Sequence, residues 1–179
     1  MLMIISIDTY ALALFQLAQE QSLEKKYYHE LKEFNKVLLD EEISKILKRS
    51  VADYRVFDNF WNSLEGHYSK EVINFLRIIQ EASLMYALDR IIFEYRDLLE
   101  EHKLIHIVDI ISAKELSKKE IDEIIAKISQ RYEGELDVEY EHDPSLVGGL
   151  KIRVNNDIYD TSIKNKFKQI LAQGGLRHE

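Results

Sequence analysis

The sequence has no cysteine, which rules out disulfides, a thiolate nucleophile and any cysteine-based zinc site. That absence fits a reducing compartment. Its 179 residues include one proline, Pro144, and six glycines, so special turn chemistry is confined to few places. No stretch approaches about 18 uninterrupted apolar residues, the length a membrane helix needs. The apolar start, Met1 to Ile7, is too short to span a bilayer and lacks a basic flank. Any membrane association is therefore expected to come through a partner. Basic residues are the minority, 24 against 32 Asp plus Glu, for a net charge of −8. This argues against nucleic acid, whose phosphates need clustered cations, and against direct docking on anionic lipid. A phosphate loop is missing too, because Gly148-Gly149 lacks the Gly-x-x-x-x-Gly-Lys spacing.

What is present is ordinary for a soluble globular protein: 46% hydrophobic and 31% charged residues. From Ser6 to about Lys103 the periodicity is helical throughout. Helix 1, from about Ile7 to Glu20, carries a stripe of Ile7, Ala11, Leu14, Phe15 and Ala18. Beside it runs a second stripe of Tyr10, Ala13 and Leu17. Two readings of that second stripe stand: crowding inside a bundle, or a groove for a partner helix. Helix 2, from Ser22 to about Leu39, has Leu23, Tyr27, Leu31, Phe34 and Leu38 on one face, and a short third helix carries Ile43, Ile46 and Leu47. The fourth carries Tyr54, Phe57, Phe60, Trp61 and Leu64 and ends at Gly66. Helix 5 starts at Ser69 with Val72, Phe75, Leu76 and Ile79 facing the core, Ile78 and Ala82 lying to one side. Helix 6 runs from Leu84 to about Glu101. The expectation is an N-terminal all-α six-helix bundle over residues 1–103.

Near Lys103 the pattern changes. Leu104 to Ala113 is rich in Ile and Val and reads as a strand. Ser117 with Glu120 is a capping box opening a helix of Ile121, Ile124, Ile125, Ile128 and Tyr132, which Gly134 ends. In Leu136–Glu141 and Leu150–Val154 the apolar residues alternate with charged ones, the mark of strands with one buried face. A hairpin between them would set Lys151 and Arg153 across from Glu141 and Glu139. A short return at Asp157–Tyr159 and a last helix with Ile163, Phe167, Ile170 and Leu171 follow, before Gly174, Gly175 and a polar tail. Residues 104–179 thus read as a small C-terminal α+β domain.

No catalytic, cofactor or metal site is expected. His102 and His106 lie four apart beside Glu101, but the change from helix to strand there spoils a common ligand face. His142 beside Asp143 reads as a strand-end histidine, and the acid run Glu139–Asp143 as a solvated strand face. Ser112, Ser145 and Ser162 show no histidine or acid partner at a workable spacing. Asp160 and Ser162 stand where a helix N-cap is needed.

One stretch is distinctive. Asp143-Pro144-Ser145-Leu146-Val147-Gly148-Gly149, an alternating strand, then Asp160-Thr161-Ser162 before a final helix resembles the δ subunit family of F-type ATP synthases. The mitochondrial oligomycin-sensitivity-conferring protein belongs to the same family. Ile111-Ser112-Ala113-Lys114-Glu115-Leu116-Ser117 fits the family signature, as does Tyr10-Ala11-Leu12-Ala13-Leu14-Phe15, so the resemblance spans nearly the whole chain. Its specific part lies between Val108 and Ser162. Thr161 stands where the family usually has glycine, and Ser83-Leu84 where it often has glycine and arginine.

The resemblance implies a non-enzymatic stator subunit, one copy in a hetero-oligomeric complex at the cytoplasmic face of the cell membrane. The N-terminal domain would hold the catalytic head by the N-terminal helices of α subunits, between helices 1 and 5, against Tyr10, Ala13, Leu17, Ile78 and Ala82. The C-terminal domain would meet the ends of the b subunits. There Asp143, Pro144, Gly148, Gly149, Asp160 and Ser162 form a structural turn and candidate stalk contact. The residues alone leave open a helical adaptor or regulator unrelated to the synthase, and a small enzyme working at the Asp143 turn.

Overall fold

The structure, a computed structural model, describes residues 6–49, 54–163 and 165–166. The chain divides into two compact units, Met1–His102 and Lys103–Glu179. The first contains six α-helices among its described residues: α1 Ile7–Gln21, α2 Glu24–Val37, α3 Glu41–Leu47, α4 Asp58–Ser63, α5 Lys70–Glu81 and α6 Leu88–Glu101. Tight 3-10 turns at Tyr54–Phe57 and Met85–Ala87 lead into α4 and α6, so both helices start later than periodicity suggests.

The core of this unit is carried by α1, α2, α5 and α6, while α3 buries only Leu47 and α4 only Trp61. Each long helix turns its apolar stripe inward, where burying one large side chain contributes about 1.5–3 kcal/mol. Tyr95 of α6 joins three helices. Its ring meets Phe15 of α1 edge-on at 5.4 Å and stacks at 6.2 Å on Tyr28 of α2. Its hydroxyl donates to Glu24 O at 3.0 Å. Phe34 of α2 stacks on Trp61 at 5.7 Å, and the Trp61 indole donates to the buried Gln80 of α5 at 2.9 Å.

Glu30 is mostly buried because it caps α5 from a neighbouring helix: its carboxylate accepts Ser69 N–H at 2.8 Å and the Ser69 hydroxyl at 2.9 Å. At the far end of α5, Ser83 takes φ 56, and Leu84 N–H closes onto Ile79 O at 2.8 Å. A left-handed residue there costs about 1–2 kcal/mol for anything but glycine.

Among its described residues the second unit holds a four-stranded sheet and the helix α7: β1 Ile105–Ser112, α7 Lys118–Ser129, β2 Glu135–His142, β3 Leu150–Val154 and β4 Asp157–Asp160. The capping box forms, with Ser117 and Glu120 satisfying each other's backbone donors. The strand order β2-β1-β3-β4 corrects the expected hairpin. β1 lies between β2 and β3, parallel to the first and antiparallel to the second. Lys151 therefore faces Ile111 and Asp160, and Arg153 faces Asp109, with which it forms an ion pair. The cause is β1 itself, which is apolar on both faces: Ile105 and Ile107 point one way, Val108 and Ile110 the other, and all four are buried. Such a strand belongs at the centre of a sheet.

A second correction concerns Asp137. It is buried at the strand pair with Ile107, whereas its expected wet-face companions Glu139 and Glu141 are exposed. The α7 face of the sheet builds the core from Val108, Ile110, Val154, Leu116 and Ile128, with Leu136, Val138 and Tyr140 packed against it. Phe167, Ile170, Leu171, Gly174 and Gly175 lie outside the described residues.

Candidate interaction surfaces

On α1 the two stripes part company. Ala11, Leu14, Phe15 and Ala18 are fully buried, whereas Ala13 is exposed, Leu17 is 36% exposed and Tyr10 is half-buried. On α5, Val72, Phe75, Leu76 and Ile79 are buried, while Ile78 is 52% exposed and Ala82 is exposed. Both helices pack on α2. The apolar side chains beyond the core faces thus lie at the surface, which answers the crowding reading of the second stripe. Leu12, Tyr86 and Phe93 are exposed as well. Each sits outside a repeating stripe, so periodicity does not single it out.

In the second unit, the two halves of the distinctive stretch meet. Asp143 accepts Ser145 N–H at 2.8 Å and the Ser145 hydroxyl at 2.9 Å, which gives that serine an acid partner its spacing in the sequence does not announce. Pro144 then opens a 3-10 turn. Val147, Gly148 and Gly149 follow with φ of 61, 139 and 87. A Cβ on Gly149 would stand 2.6 Å from Thr161 O and 2.8 Å from Ser162 Cα. One on Gly148 would stand 2.7 Å from Ile163 Cδ1.

Gly149 is therefore needed twice over, for the backbone turn and for close approach to a neighbouring backbone, whereas Gly148 meets only the movable end of the Ile163 side chain and is needed for its φ. Asp160 accepts Ser162 N–H at 2.9 Å, and the Ser162 hydroxyl accepts Asn165 N–H at 3.2 Å, so both act as caps. Thr161 ties the strand end: its hydroxyl donates to Leu150 O at 2.9 Å and accepts Leu150 N–H at 3.2 Å.

Beside this turn two cavities of about 610 and 310 Å³ share Ile124, Lys127 and Leu150. Lys114 and Glu120 pair at 2.8 Å at the first. The ammonium of Lys114, with the N–H and hydroxyl of Ser117, holds the Glu120 carboxyl down to about 2. At the second, the Tyr132 hydroxyl sits 3.1 Å from that of Tyr159 and donates to Asp157 at 2.7 Å, and both bonds push its pKa up.

Both histidines of the metal site weighed above are engaged with protein groups. His102 Nδ1 is 2.9 Å from Leu98 O, and His106 bonds Glu133 O and Asn155. Among the described residues no three potential ligands cluster for a metal ion, and no helix is long and apolar enough to cross a membrane.

Known proteins share this plan. A family model described as ATP synthase delta (OSCP) subunit matches residues 7–173. The ATP synthase subunit delta of Clostridium perfringens is 29% identical over 176 residues, covering 92% of this chain and 94% of that protein. Its Rickettsia felis counterpart is 30% identical over 167 residues, covering 92% and 91%. A chain in the cryo-EM structure of the Toxoplasma gondii mitochondrial ATP synthase hexamer has the same fold, with a TM-score of 0.71 at 18% identity. There 97% of this chain and 99% of that one are covered.

Proposed function

The chain belongs to the ATP synthase delta (OSCP) subunit family, and from that premise we propose that it couples the catalytic head to the stator stalk of a proton-translocating F-type synthase. A δ/OSCP subunit is a component of the peripheral stalk. In this reading the six helices of residues 1–103 act as one bundle that binds the N-terminal helix of an α subunit. Residues 104–179 bind the C-terminal ends of the b subunits. The chain itself catalyses nothing; it stops the head turning with the rotor, so that torque is spent on conformational change at the catalytic sites. The complex holds it at the cytoplasmic face of the membrane. Two contacts on one connector give avidity without chemistry.

The observation that carries this is the apolar set of exposed Ala13, Leu17, Ile78 and Ala82 with half-buried Tyr10, on two helices that share α2 as a neighbour. An amphipathic helix laid in an apolar groove buries such residues. The test is calorimetric titration of a peptide from the N-terminus of an α subunit into the chain and into Ala13→Asp. The substitution is expected to weaken binding by about tenfold or more, since it sets a charge in a desolvated contact. Equal affinity of both proteins would remove Ala13 from the contact and refute the site.

A further inference from the structure

The groove read above has two walls, α1 and α5, and both pack on α2. One turn of α2 reaches each of them. The Tyr27 hydroxyl donates to Gln21 Oε1 at the end of α1, at 3.1 Å. Three residues on, the Glu30 carboxylate accepts the backbone N–H and the hydroxyl of Ser69, the residue that opens α5. Positions three apart share a helix face, so a single face of α2 meets both walls. Two features of the Glu30 contact stand out. A carboxylate only 8% exposed is costly to bury, and its bonds do little more than offset that cost. Lys26, at 3.7 Å, lies largely in solvent and adds little. Ser69, for its part, is the N-cap of α5 yet makes no side-chain bond to the helix it opens. Its hydroxyl leaves the local cap that serine ordinarily supplies and turns to Glu30.

What the contact fixes is a position. Burial of apolar stripes is non-directional, whereas two hydrogen bonds to one carboxylate have a set length and angle. A slip of one residue would move α5 by about 1.5 Å and turn it by about 100°. Such a turn would carry Ile78 and Ala82 off the groove. We propose that Glu30 is a positioning residue for the groove: by holding Ser69, it fixes α5 along and around its axis on α2. The inference rests on the groove reading above. It also separates affinity from stability. Without the carboxylate, Ser69 can turn back and cap its own helix, so α5 stays formed while its register is lost.

The test titrates the α-subunit N-terminal peptide into the full wild-type chain, Glu30→Gln and Glu30→Ala by calorimetry. The temperature is one at which circular dichroism shows each protein fully folded. A glutamine carbonyl still accepts the Ser69 N–H and its amide donates to the Ser69 oxygen, so Glu30→Gln is expected to stay within about threefold of wild type. Glu30→Ala is expected to lose about tenfold or more. The Ile78 methyl signal of the free protein is expected to shift in Glu30→Ala and to return in Glu30→Gln. A residue that served folding alone would leave the affinity of folded Glu30→Ala unchanged, and that result overturns the proposal. Should Glu30→Ala not fold, Ser69→Ala, which removes one of the two bonds, is expected to lose about threefold. Wild-type affinity in that variant overturns the proposal equally. If Ala13→Asp weakens binding and these variants do not, the groove stands and Glu30 has no part in it. A wild-type chain that takes no peptide refutes the groove and the proposal together.

Discussion

Gly149 and Gly66 share a backbone conformation, φ 87 and 88, but not a neighbourhood: a Cβ on Gly66 would meet nothing within 4 Å. Gly66→Ala therefore costs only the left-handed term, about 1–2 kcal/mol. Gly149→Ala adds a backbone clash and is expected to cost about 3 kcal/mol or more. Chemical denaturation of the two variants compares them, and equal losses would contradict the close packing of Gly149 on Thr161–Ser162. Glu120 supplies a pH test. Its folded value is held near 2, below the ordinary 4.5, so its contribution is complete above about pH 4.5 and is lost as the pH falls towards about 2. Glu120→Gln is expected to flatten that acid limb in denaturation curves; identical limbs would show that the Lys114–Glu120–Ser117 cluster is not the source. Ser83 holds φ near 56, which glycine adopts freely and serine does not.

At the scale of elements, α1 presents two faces with different consequences. Leu14→Ala, on the buried face, is expected to cost about 2–5 kcal/mol. Ala13→Asp, on the exposed face, is expected to cost under about 1 kcal/mol. Thermal unfolding of both variants checks this, and an unfolded Ala13→Asp protein would make that stripe part of the core. The helices were legible because their signal is local: spacing put Ala11, Leu14, Phe15 and Ala18 on one side and left Ala13 and Leu17 on another. The strands were legible one by one but not in their order, because pairing joins residues far apart in the chain. The acid and base alternation of β2 and β3 suggested a hairpin, yet the stronger signal was the two-sided apolar content of β1, which demanded the centre. Asp137 read as a surface acid, and nothing local marks Glu30, since nothing in either neighbourhood announces that a distant backbone or strand will bury the side chain. Likewise, the glycine pair read as a turn, and only the fold brings Thr161 against Gly149.

At the scale of the molecule, the separation into units at His102 and Lys103 bears on how binding is divided. Residues 1–103 are expected to fold alone as a helical monomer, seen by circular dichroism, while the roughly 75 remaining residues hold a small core and are marginal by themselves. A 1–103 fragment that stays unfolded until 104–179 is added would mean one shared core. The central claim is that one chain grips two partners through separate surfaces, and a single calorimetric series tests it. The b-subunit peptide is titrated into the full chain, free or saturated with α-subunit peptide, and into 1–103. The account predicts equal b-peptide affinity with and without the α peptide, and no b-peptide binding by 1–103, which still takes the α peptide. Competition between the two peptides for the full chain, or b-peptide binding by 1–103, would contradict it.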